Sequence, residues 1–204
     1  MKTFGAAATM YTSENDDRLP LDADHSTPSW SSLKNDASAD HWYNGLPEVA
    51  GFTSAKDIAE SDESSFYNGT SPFYLPGARY TTRAEPHFAF GMNAKLQDGD
   101  RAVKVNRINK ASKTVLFLER GLRGEESLAA DGADFTRPAG AQPTEFVARY
   151  NKTGVLGFVD AHAAHYRLNN VFESGSTDLR GYVNGIQTTL IWTTDERDDP
   201  NGSN

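Results

Sequence analysis

Asp160, His162 and His165 stand close enough in the chain to share one metal ion. In an extended strand Asp160 and His162 would lie on one face. One carboxylate with two imidazoles suits zinc or a similar borderline metal. Glu119, at the end of an apolar run, is a candidate fourth ligand. The alternative is that Asp160 hydrogen-bonds its own turn while both histidines stand in water. Calcium prefers oxygen ligands, which Asn15-Asp16-Asp17 and the tail residues Asp195, Glu196, Asp198 and Asp199 carry. Neither stretch has the glycine and spacing of an EF-hand, and acidic runs are commonly just solvated. No G-x-S-x-G, H-E-x-x-H or phosphate-loop signature occurs, so the sequence carries no recognisable catalytic pattern. Trp30, Trp42, Tyr43, Tyr67 and Tyr74 either stack on sugars or anchor loops, and anchoring is the favoured reading.

The composition narrows the partners. The 204 residues carry a formal net charge of -8 and no cysteine. The charge argues against nonspecific nucleic-acid binding, and no basic cluster overrides it. Disulfides and thiolate metal sites are excluded. Hydrophobic residues make up 37% and the mean hydropathy is -0.62, which predicts a modest core beneath long polar loops. No apolar run approaches the ~18 residues of a membrane span.

Elements must hold these residues in place. Phe4, Ala7, Ala8 and Tyr11 recur at helical spacing, and the polar cluster Glu14-Asn15-Asp16-Asp17 ends the pattern. Leu21 to Pro47 and Asp62 to Gly77 read as aromatic-anchored loops, with one helical turn at Ser54 to Ile58. Strands are expected at 88–93, 103–105, 114–119, 146–150 and 188–192, with a turn at 98–100. The run 114–119 is apolar almost throughout and so should be central. Residues 154–159 and 163–168 form a hairpin about Asp160-Ala161, while 121–143 is an insertion-like loop. The whole is one α+β domain, 1–204: an N-terminal helix packed on an antiparallel β-sheet, with long loops. Residues 193–204 are expected to be a flexible tail.

Several blocks then resemble one family in shared order. Met10-Tyr11, Asn15 and Leu19-Pro20 resemble the junction between helix and head in bacterial type IV pilin-like proteins, which include the type II secretion pseudopilins. Phe90-Gly91-Met92-Asn93, Ser112 to Phe117 and Ile191-Trp192 fit a subgroup with a C-terminal histidine, nine residues, then Asp-Gly. Gly154, Val155, Phe158, Asp160 and His162 match that motif, while Tyr150 replaces its histidine and Ala161 its glycine. The resemblance implies the head of a filament subunit, in a type IV pilus or a secretion pseudopilus. Residues 1–16 would be the C-terminal part of its N-terminal helix. It implies an apolar helix upstream, absent from these 204 residues, through which other pilin or pseudopilin subunits and the membrane would be engaged. It also implies an extracellular, cell-surface or periplasmic location and no catalysis. A secreted carbohydrate- or metal-binding module is the alternative, and a hydrolase the third.

Overall fold

Alanines and a 3.6-residue apolar repeat start the chain as a helix. In a computed structural model, α1 runs Lys2–Glu14 and buries Phe4, Ala7, Ala8 and Tyr11. Residues 1–22, 28–35, 39–82, 84–98, 101–130, 135, 140–172, 182–183, 186–187 and 190–194 are described. The polar cluster ends α1 as expected. Asn15 donates its side-chain amide to the Tyr11 carbonyl at 2.8 Å. Asp16 and Asp17 take left-handed φ of 53° and 61°, and the Asp17 N–H returns to the Thr12 carbonyl at 2.9 Å. That six-to-one bond satisfies a helix-end carbonyl in the manner of a Schellman cap. Leu19 then pairs with Val103 as the chain leaves.

Three short helices follow, two where a loop was expected and the third at the helical turn expected over Ser54 to Ile58. They are α2 (Trp30–Leu33), α3 (Trp42–Val49) and α4 (Ala55–Ser61). Ser29 and Ser54 cap α2 and α4 by accepting backbone N–H bonds three residues on. Helix α3 contains Pro47 and Gly45, which is why the stretch did not read as helical. Burial of Trp42, Tyr43 and Leu46 holds it on the core instead.

The strands are β1 (Phe90–Asn93), β2 (Gln97–Asp98), β3 (Arg101–Ala102), β4 (Val115–Glu119), β5 (Gly140–Ala141), β6 (Thr153–Phe158) and β7 (Ala163–Arg167). Helix α5 (Leu168–Val171) follows, then the pair β8 (Tyr182–Val183) and β9 (Ile186–Gln187). The five-stranded sheet runs β5-β1-β4-β6-β7. Strand β4 is central and wholly buried, as its apolar run predicts. The class is α+β, but the sheet is mixed: β5 runs parallel to β1 where an antiparallel sheet was expected. Its two residues, Gly140 and Ala141, are too few for periodicity to announce. Residues 103–105 and 146–150 are not strands. They make single bridges, Lys104 to Arg18, Phe146 to Arg120 and Val147 to Ala129. Residues 98, 188–189 and the tail from Asp195 bear on expected elements. Asp98 belongs to β2, while 99–100, 188–189 and 195–204, with Asp195, Glu196, Asp198 and Asp199, lie outside the described residues.

Alternation sends two clusters to opposite faces of the sheet. Phe90, Met92, Leu116 and Phe117 join one with α1, α3 and the loop aromatics. Val115, Leu118, Leu156 and Phe158 join the other with Phe172 and Trp192. A register shift between Val115 and Phe117 lets adjacent Leu116 and Phe117 serve the same cluster. Phe4 of α1 meets Phe90, Phe117 and Trp42 with centroids 5.1, 5.9 and 5.7 Å apart. Trp30, Trp42, Tyr43 and Tyr67 are buried here, so they anchor helices and loops and do not present stacking faces to a sugar. Asn93 ties the C-terminal segment down, donating to the carbonyls of Val115 at 2.8 Å and Trp192 at 3.0 Å.

Candidate functional site

The hairpin β6–β7 turns at Asp160-Ala161, as expected. Ala161 has φ 69°, the left-handed conformation that glycine would adopt without strain. The Asp160 carboxylate compensates by accepting the His162 N–H at 3.2 Å, an Asx-type turn. The same oxygen lies 2.5 Å from His162 Nδ1. The imidazole stacks on Phe158, 4.1 Å between centroids and 3° from parallel. Asp160 and His162 are therefore brought together, in a turn lock about one-third to two-fifths exposed. His165 sits on β7, paired in register with Val155. Among the described residues no group of three or more His, Cys, Asp or Glu side chains converges as a metal ion requires. Of the expected trio, the structure brings Asp160 and His162 together.

The turn meets the first helix. A Cβ on Gly5 would come within 2.8 Å of the Ala161 Cα, so only glycine lets α1 lie this close to the hairpin. Gly154 is closed in the same sense, since a Cβ there would reach 2.0 Å from the Val147 carbonyl. Tyr150, standing where the motif has histidine, closes a tight turn with Thr153 through 2.8 and 2.9 Å backbone bonds. Asn151 and Lys152 between them both have positive φ, 49° and 64°, the geometry of a type I′ hairpin. The Tyr150 ring covers Gly77, where a Cβ would come within 3.0 Å of it.

Glu119, the candidate fourth ligand, lies in a buried ionic cluster. Arg149 forks onto Glu125, with Nε to Oε1 at 3.0 Å and Nη2 to Oε2 at 2.5 Å. It also donates to the carbonyls of Ala89 and Arg120. Glu125 in turn accepts the N–H groups of Arg79 and Leu122. Burial pushes the Glu125 carboxyl up, but the bonds and charge of Arg149 and the two N–H groups outweigh it and leave it below its ordinary value. Glu119 is held less tightly. Its Oε2 is 3.8 Å from Arg149 Nη1 and, among the described residues, has no hydrogen-bond partner. Burial pushes Glu119 up to about 7, against the pull of Arg149, the Val155 N–H and the chain's own ammonium at Met1. Arg149 and Glu125 were not among the residues expected at a site. The available signal was charge (Glu119-Arg120, Glu145, Arg149) bordering the apolar runs 115–118 and 146–148.

The chemistry on display is positional. One exposed carboxylate–imidazole contact locks a turn, and one buried fork locks a loop. No family model, curated protein or solved structure matches the chain.

Proposed function

We propose that this chain is the head of a filament subunit of the pilin or pseudopilin kind, whose first helix continues upstream as an apolar segment. The observation that carries the reading is the contact of Gly5 with Ala161. It joins the two stretches on which the resemblance rests, the N-terminal helix and the hairpin motif. Phe4 seated among Phe90, Phe117 and Trp42 supports it further. A helix so anchored would fix the head rigidly to a filament core built from upstream helices. Among the described residues no helix is long and apolar enough to cross a membrane, so attachment by helices would fall to that upstream segment. Heads of net charge -8 repel over a screening length of roughly 10 Å at 0.1 M salt and are not expected to polymerise alone.

The test is electron microscopy after co-expression with a pilus assembly machine. A chain extended upstream of Met1 by an apolar helix of ~20 residues is expected to form fibres, and the 204-residue chain to stay monomeric. Fibres from the shorter chain, or none from the longer, would count against the proposal.

A further inference from the structure

At the C-terminal end of α1 the chain folds back past Leu21 and Asp40 and leaves an open cleft of about 640 Å³. That is ample for a small ligand or one long side chain. Among the described residues, Glu14, Asp16 and Asp40 line it, against a single cation, Arg18. The Arg18 guanidinium is engaged by the Ala102 carbonyl at 3.0 Å. Leu21 adds an apolar wall.

Tyr11 makes this more than a group of acidic residues. It also lines the cleft, yet it is only 9% exposed. Its ring is wedged against α3, where a Cβ on Gly45 would come within 2.8 Å of Cε2. Among the described residues its hydroxyl has no hydrogen-bond partner. Burial raises the Tyr11 pKa, and the charge of Asp40 raises it further, which places phenol and carboxylate within each other's field. A fixed, unpartnered hydroxyl beside carboxylates, next to an apolar wall, complements a positive head on an apolar stem. A divalent metal fits poorly, since calcium takes six to eight oxygens and, among the described residues, no three carboxylates converge.

We propose that this cleft binds an organic cation, a guanidinium or alkylammonium group carried on an aliphatic stem. The stem rests on Leu21, and the head lies among Tyr11, Asp40 and Glu14. The proposal does not depend on the filament reading. The cation arrives either as a free amine or as an arginine or lysine side chain of another chain.

The test titrates the 204-residue protein by NMR with agmatine, with end-blocked Gly-Arg-Gly, and with pentanoate as an anionic control. Agmatine or the tripeptide is expected to bind with a dissociation constant on the order of 1 mM, and pentanoate not to bind. The tighter of the two cations identifies the source. Binding should fade as salt approaches 1 M, where the screening length is about 3 Å. Asp40→Asn is expected to weaken binding about fivefold, and Tyr11→Phe about threefold, each with an unchanged melting temperature. Failure of both cations to bind at about ten times that concentration, affinity unchanged by Asp40→Asn, or stronger binding of calcium than of agmatine would overturn it.

Discussion

Ala161 carries a backbone conformation that its side chain resists, since a left-handed φ costs an L-residue roughly 1–2 kcal/mol. Ala161→Gly is therefore expected to stabilise the protein by up to about 1 kcal/mol, the lost Cβ contact with α1 offsetting part of the gain; urea denaturation would measure it. Gly5→Ala tests the other side of that contact. Alanine is the better helix former by about 1 kcal/mol, but its Cβ would strike backbone. A net loss of about 1–3 kcal/mol is expected, and a gain would mean that helix and hairpin do not touch. Glu119 sets a pH dependence. Its pKa rises from 4.5 unfolded to about 7 folded, so between those values the folded state holds the extra proton. Stability from this group is full below about 4.5 and is lost as pH rises through 7. His87, lowered first by burial, acts in the opposite direction near neutrality, and Glu125 loses its contribution in acid. Comparison with Glu119→Gln isolates the one group. Relative to that variant, the native chain should lose roughly 3 kcal/mol between pH 4 and 8.

Elements were legible where one physical signal sufficed. Helical spacing of Phe4, Ala7, Ala8 and Tyr11 located α1, and the unbroken apolar run at 115–118 located the central strand. Asp160-Ala161 marked the hairpin turn. Helix α3 was hidden because its glycine and proline oppose helix locally; tertiary burial of Trp42 overrides them. The sheet's parallel edge was hidden because Gly140 and Ala141 show no alternation. Of the metal trio, the Asx turn holds His162 on Asp160, while His165 follows the β7 register. The ionic cluster was illegible because Glu125 and Arg149 meet only through the fold. Phe4 gives the element-scale test. Buried among four aromatic rings, its loss in Phe4→Ala should cost about 3–5 kcal/mol. An unchanged denaturation midpoint would detach α1 from the core.

At the scale of the whole molecule, Asn93 joins the sheet to the chain's far end. Its amide serves two carbonyls and its oxygen accepts the Lys95 N–H at 3.1 Å. Asn93→Ala would strand two carbonyl groups, each costing about 1–3 kcal/mol when buried without a partner. A loss near 3 kcal/mol in urea denaturation is expected, against a near-neutral result if Trp192 is not seated there.

Asn93 and Trp192 are separated by 99 positions. A ribosome adding about 5–20 residues per second takes roughly 5–20 s to cross that interval. Throughout it β1 has been made, and the carbonyl that will take up one donor of Asn93 has not. One face of the nascent sheet must wait for Leu190, Ile191 and Trp192, all buried once in place. Leu190, Ile191 and Trp192 are thus a completion signal for the sheet. A message cut short before them would release a chain whose sheet is still open to aggregation.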